Sequence, residues 1–380
     1  PRYVSYLLKR SGDPVAIDLG TAQPIDDLIP EFRTALSDKA STFFKGVAAT
    51  LFEKLIAPLR PHFGQSKQLL LSPDGALNLL PFAALVDKDG KYLLEHFEVT
   101  YLTSGRDLLR MADESRPRES AVVLADPNYG EPPRGGLPVE TGLEPTRSAD
   151  LDRSGRIFPE LKGAAKEAAA LQSLLNLDAE HVLTRDRATE ANLRKLSGPR
   201  ILHMATHGFF LNDLQLKTAL RRVGFSAELA PLPLSENPLL RSGLALAGAN
   251  VRRSGATDDG ILTAAEVAQL DLLGTQLVVL SACETAVGTV QTGEGVYGLR
   301  RALALAGAQT QLVSLWKVED GATRELMVDY YQRLLKGEGR SAALRAAQQA
   351  MLTNPAREHP CYWAAFIPIG NWTPLPTGPP

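Results

Sequence analysis

Two side chains in this 380-residue sequence invite covalent chemistry: Cys283, inside "TQLVVLSACETAVG", and His207, inside "RILHMATHGFF". Each follows an apolar, β-branched run of strand length, so each is expected at the carboxyl end of a strand. A thiol with a pKa of about 8.5 is only slightly ionised at neutral pH and needs a base to become a nucleophile. An imidazole fills that role and later returns the proton to a leaving amine. Gly208 adds a backbone N–H that a substrate can approach closely, because no Cβ stands in the way, and the Cys283 N–H is a second candidate donor for an oxyanion. The opposing reading makes Cys283 a small buried hydrophobe. His203, in the same strand run, reads as a core histidine, and Cys361 as packing. Residues His203, His207, Cys283 and His359 have no accepted ligand spacing, so no metal is expected.

Positioning His207 against Cys283 requires their strands to be neighbours, with ends about 5 Å apart. Regular strand and helix alternation begins near residue 117. "AVVLAD", "HVLT", "RILHMAT", "QLVVLSA", "TQLVSLW" and "YWAAFIPI" read as strands, and "GVYGLRRALALAG" and "GATRELMVDYYQRLL" as helices. Leu161, Ala164, Ala165, Ala168, Leu171, Leu174 and Leu175 mark one helical stripe. Thr189 is a candidate N-cap, and Thr263 to Glu266 a capping box. This alternation predicts an α/β fold with a mostly parallel sheet. Upstream, "YVSYLL" and "VAIDLG" look like strands. Phe44, Val47, Leu51 and Leu55 mark a helix, and "KQLLLSPDGALNLLPFAAL" reads as a buried strand closed by a turn at Pro73 to Gly75. The polar "MADESRPRES" suggests a boundary near Arg116, giving a leading unit 1–116 and a second unit 117–380. Two long segments, one rich in Pro and Gly after Asp126 and one from about Leu211 to Gly260, read as loops that are either functional or disordered.

Composition narrows the partners. With 41 basic and 43 acidic residues the net charge is −2 and no polybasic block occurs, so neither nucleic acid nor an anionic membrane is an expected partner. Two cysteines make no disulfide framework, which fits a reducing, cytoplasmic setting. No apolar run reaches the roughly 18–20 residues of a membrane helix. The chain starts without Met, and a longer polypeptide is expected.

Taken together, "LHMATHGFF", "LSACETAVG", "GEGVYGLRRALALAGA", "QLVSLWKVED" and "HPCYWAAFIPIGNW" closely resemble the CHAT family, mostly bacterial, caspase-like cysteine peptidases of clan CD related to separase, caspases and gingipains. "LIAPLR", "LLSPDGALNLLPFAAL" and "LLEHFEVTYLTS" extend the likeness upstream. The resemblance implies a caspase-like α/β/α sandwich preceded by a smaller, degenerate caspase-like α/β domain. It further implies a Cys283–His207 dyad that hydrolyses peptide bonds without metal or cofactor. CHAT regions usually follow tetratricopeptide repeats on the same polypeptide, so regulation through upstream repeats or their partner is expected.

In that clan the pocket for the residue before the scissile bond is built at the strand ends flanking the nucleophile. Here those positions are Asp126 and the pair Glu319 and Asp320, with Trp316 as a wall of the crevice. Asp320 resembles in place the acid with which separase-like enzymes hold arginine, so cleavage after a basic residue is expected, Arg first. The opposing reading has Asp320 N-capping the helix that follows. Arg300 and Arg301 read as a solvated helix face, and Arg134, Arg147, Arg153 and Arg156 as candidate autoprocessing sites. Two further functions stay open: a non-catalytic interaction module, and a thiol-dependent hydrolase of small molecules.

Overall fold

The computed structural model describes residues 1–111, 115–131, 157–210, 239, 242–251, 258–281 and 294–376. Strands β1 (Arg2–Leu7) and β2 (Val15–Thr21) form an antiparallel ribbon, as their alternating patterns predict. The remaining strands are β3 (Gln68–Leu71), β4 (Glu98–Tyr101), β5 (Val122–Pro127), β6 (Val182–Arg185), β7 (Ile201–Ala205), β8 (Gly208–Phe210), β9 (Ser242–Ala245), β10 (Ile261–Thr263), β11 (Leu277–Leu280), β12 (Thr310–Ser314) and β13 (Phe366–Gly370). Eight of them make one sheet in the order β3-β4-β13-β12-β11-β7-β5-β6. Only β12 and β13 run antiparallel within it. The fold is thus mixed α/β with one large, mostly parallel sheet. β5, β7, β11 and β12 are buried almost throughout, as strands covered on both faces must be.

The covering helices follow from strand alternation. Thr310 Oγ1 accepts from Arg340 at 2.9 Å, whereas the next residue, Gln311, donates to the Arg300 carbonyl at 2.9 Å. Successive strand side chains point to opposite faces, so the helices Arg340–Leu352 and Glu294–Ala306 lie on opposite sides of the sheet. The helix Asp320–Leu335 packs with Arg340–Leu352 and with Ala164–Leu175 on the first side. Arg300 is a correction to the expected solvated face. It is buried, donates to the Asn78 carbonyl at 3.2 Å, and sits 5.9 Å from the Tyr101 ring, with burial pushing its pKa down to about 10. Arg301 is exposed.

The expected boundary near Arg116 is crossed by the sheet itself. β3 and β4 belong to the leading segment but join the same sheet, meeting β13 through one registered pair, Ile369↔Tyr101. One hydrophobic core holds residues from both sides of the boundary, including Phe32, Leu51, Leu202 and Leu326. The strand that opens "KQLLLSPDGALNLLPFAAL" runs Gln68–Leu71 and closes before the turn expected at Pro73 to Gly75. Beyond it the chain turns at Asp74, whose carboxylate accepts from the Gly75 N–H, and proceeds in short 3-10 turns. The segment read as a loop from Leu211 to Gly260 contains β9, which with β8 and β10 makes a separate three-stranded antiparallel sheet. The helices Leu28–Ser37 and Arg340–Leu352, and strand β4, were not assigned from the sequence.

Candidate active site

β7 and β11 lie side by side in parallel register, with Leu280 opposite Met204, and the Ser281 N–H continues the ladder to the Met204 carbonyl at 3.0 Å. The neighbouring strands on which the dyad depends are therefore present. His207 and Cys283 stand at the same count beyond the Met204 and Leu280 rung. Cys283 itself lies outside the described residues, as do the proposed autoprocessing sites Arg134, Arg147, Arg153 and Arg156.

His207 is 1% exposed, and its setting is specific. The Nε2 atom lies 2.7 Å from the Pro159 carbonyl, which accepts only, so Nε2 carries the hydrogen and a neutral ring keeps its lone pair at Nδ1. The Tyr129 and Phe158 rings flank the imidazole at 5.3 and 5.7 Å between centroids. Its backbone N–H donates to Tyr129 Oη at 3.4 Å, Tyr129 donates to Thr206 Oγ1 at 3.0 Å, and Thr206 donates to the Ala245 carbonyl. Three consecutive donors run one way along that chain. The Ala245 N–H closes back on the His207 carbonyl at 2.9 Å. Because hydrogen-bonded pairs alternate across antiparallel strands, Gly208, opposite Leu244, turns its N–H away from β9.

A cavity opens at the carboxyl ends of these strands, lined by His207, Ser281, Glu167, Lys317, Asp320 and Thr323 among others. Of the four residues expected to bind substrate, Asp320 lines it. Asp320 occupies the first helical position, Glu319 takes the N-cap position, and neither makes a side-chain cap bond, so the N-cap reading of Asp320 does not hold. The Glu319 carboxylate pairs instead with Arg357 at 3.2 Å. Asp126 has a left-handed backbone, φ 49°, and its carboxylate faces Arg185 at 3.5 Å. Trp316 is 4% exposed and donates to the Cys361 carbonyl at 3.2 Å, facing the core rather than the cavity.

His203 behaves as a core histidine. Its Nδ1 lies 3.1 Å from Tyr331 Oη, and its Nε2 lies 2.9 Å from Glu167 Oε1 at an angle outside hydrogen-bond geometry. His359 belongs elsewhere, bonded to the Ser41 carbonyl and to the Cys361 N–H. Burial pushes the Cys361 thiol up to about 11.

Sequence reading missed Pro159, Phe158, Tyr129 and Asn250, which come from irregular stretches where no periodicity marks a contact. Asn250 grips Phe158 from both sides, accepting from its N–H at 2.8 Å and donating to its carbonyl at 2.9 Å. Glu167 did carry a signal. The stripe includes the exposed Ala165, whereas the buried residues are Ala164, Glu167, Ala168 and Leu171, at strict helical spacing.

Comparison with known proteins places this architecture. Human tetratricopeptide repeat protein 28 is 30% identical over 352 residues, covering 89% of this chain and 14% of that protein. Its mouse counterpart is 28% identical over 367 residues, covering 93% of this chain and again 14% of the relative. Among solved structures, the Arg-specific cysteine proteinase gingipain R aligns over 93% of this chain and 75% of its own, with 9% identity and a TM-score of 0.45. The Saccharomyces cerevisiae separase in its securin complex aligns over 78% of this chain and 15% of its own, with 13% identity and a TM-score of 0.38. Both structural likenesses are shallow. The CHAT domain profile matches residues 45–371, most of the chain, which therefore belongs to the CHAT family.

Proposed function

We propose that this chain is a cysteine endopeptidase that cleaves polypeptides after a basic residue, Arg first, with Cys283 as nucleophile and His207 as its base. The observation that carries this reading is the parallel pairing of β7 with β11, which brings His207 and Ser281 to one cavity beside Asp320. With Nε2–H committed to Pro159, Nδ1 takes the thiol proton and the thiolate attacks the scissile carbonyl carbon. The N–H groups of Gly208 and Cys283 receive the oxyanion. The imidazolium then protonates the leaving amine as the C–N bond breaks. Water, deprotonated by His207, hydrolyses the thioester and regenerates the thiol. The Asp320 carboxylate, which makes no hydrogen bond or ion pair among the described residues, binds the guanidinium of the residue before the cut.

Tetratricopeptide repeats in the relatives support a regulatory input from an upstream region or its partner. A cytoplasmic setting fits the cysteine usage, and none of the described helices is long and apolar enough to cross a membrane.

The test is labelling by a peptidyl electrophile bearing Arg, with cleavage sites mapped in a mixed peptide library. Modification lost in Cys283→Ala and cuts after Arg would support the proposal. Intact peptides and an unlabelled Cys283 in protein supplied with its activating region would favour a non-catalytic docking module.

A further inference from the structure

We infer that Glu167 is a second specificity-determining acid of the basic-residue pocket, acting with Asp320 from an adjoining helix; this deepens the peptidase reading and rests on it. Glu167 lies in the first turn of the helix Ala164–Leu175, only 5% exposed, yet it lines the same cavity as His207 and Asp320. A buried carboxylate ordinarily collects hydrogen bonds. Among the described residues the Glu167 carboxylate has none: Oε1 is enclosed without a hydrogen-bond partner, and its one ion-pair contact, His203 Nε2, stands at 2.9 Å out of line for a hydrogen bond. An enclosed, under-bonded carboxylate at a cavity wall suits an incoming N–H donor that carries positive charge.

The charge balance agrees. Glu167 and Asp320 contribute two negative charges to the described lining, and Lys317, which makes an interaction of its own, contributes one positive. A guanidinium spreads its N–H donors around a plane and can bridge two carboxylates, which an ammonium point charge does less well. The helix start leaves room for this arrangement. Gly163 packs so closely on Asp320 that a methyl group built at its Cα would overlap the Asp320 side chain. Gly163 is thereby a positioning residue that leaves room for the Asp320 side chain at the cavity.

Binding of agmatine, a guanidinium on an alkylamine chain, tests the pocket without requiring catalysis. Calorimetry on the full Cys283→Ala chain should show agmatine binding and no binding of 4-aminobutylurea, in which a neutral urea replaces the guanidinium. Glu167→Gln should weaken agmatine by at least about tenfold, the loss of a charge-assisted contact. Gly163→Ala, which keeps both acids but displaces one, should weaken it as well. If Glu167→Gln melts early, Glu167→Asp serves in its place and should bind agmatine more weakly than the parent. Equal agmatine affinity in the parent and the folded Glu167 variant, or no agmatine binding to the parent, would overturn the assignment. Intact agmatine binding in a wild-type protein that cleaves no peptide would sink the peptidase reading alone.

Discussion

Asn250 and Phe158 grip one another through two hydrogen bonds of 2.8 and 2.9 Å, and the residue after Phe158 supplies the carbonyl that accepts from His207. Asn250 thus holds, at one remove, the atom that sets the imidazole tautomer. Asn250→Ala is expected to lower kcat on an Arg peptide by roughly 10- to 100-fold, the cost of a misplaced base, while KM stays within about twofold. Steady-state kinetics decide it. A change confined to KM would move Asn250 from positioning the base to holding substrate.

The two cysteines should differ sharply in reactivity. Burial raises the Cys361 thiol to about 11, so at neutral pH it is almost wholly protonated. Iodoacetamide on the native chain should modify one site, Cys283, and Cys361→Ser should leave the labelling unchanged. Mass spectrometry reads the sites directly. Equal modification of Cys361 would contradict the burial that raises its pKa.

A chain cut back to residues 117–380 should fail to fold cooperatively. It loses β3 and β4, bares the parallel face of β13, and strips Trp363 of Tyr92, which packs edge-on at 5.2 Å, and Arg300 of Asn78 and Tyr101. A broad, shallow thermal transition by circular dichroism is the expected result. A sharp transition near that of the whole chain would show that the sheet's seam at Ile369 and Tyr101 divides two self-sufficient units.

Stability should also fall with rising pH through Glu190. Its carboxylate accepts from the Gly260 N–H at 3.0 Å and from Arg194, but burial, then the charges of Asp259 and Glu266, push its pKa up to about 8. The folded chain keeps that proton from the ordinary carboxylate range up to about 8, where the unfolded chain has lost it. The stabilisation is therefore fullest at the acid end of that window and is lost as pH rises through it. Urea midpoints of the wild type should drop between about pH 5 and about pH 8 more steeply than those of Glu190→Gln, which keeps an acceptor for Gly260 but cannot ionise. Parallel slopes would remove Glu190 as the cause.

Much of the architecture was legible because it is written in local period. Thr189 and the Thr263 to Glu266 box cap their helices as their spacing foretold, and the apolar runs before His207 and Cys283 announce buried strands. The helix Arg340–Leu352 is equally legible in local period, with Ala343, Leu344, Ala347 and Met351 buried at helical spacing. Arg300 was misread for a different reason: a charge looks like surface unless the acceptor that buries it, here the Asn78 carbonyl far away in sequence, is known.

The sequence by itself determined most strands of the large sheet, that the sheet is mostly parallel, and that an imidazole and a thiol follow two of its strands, since side-chain period and residue chemistry act over a few neighbouring positions. Only the tertiary structure decided that Pro159 orients His207, that Asp320 rather than Glu319 or Asp126 reaches the cavity, and that Glu167 lies buried beside it. Those choices depend on which distant backbone atoms and charges meet, and chain crossings of that kind leave no trace in local spacing.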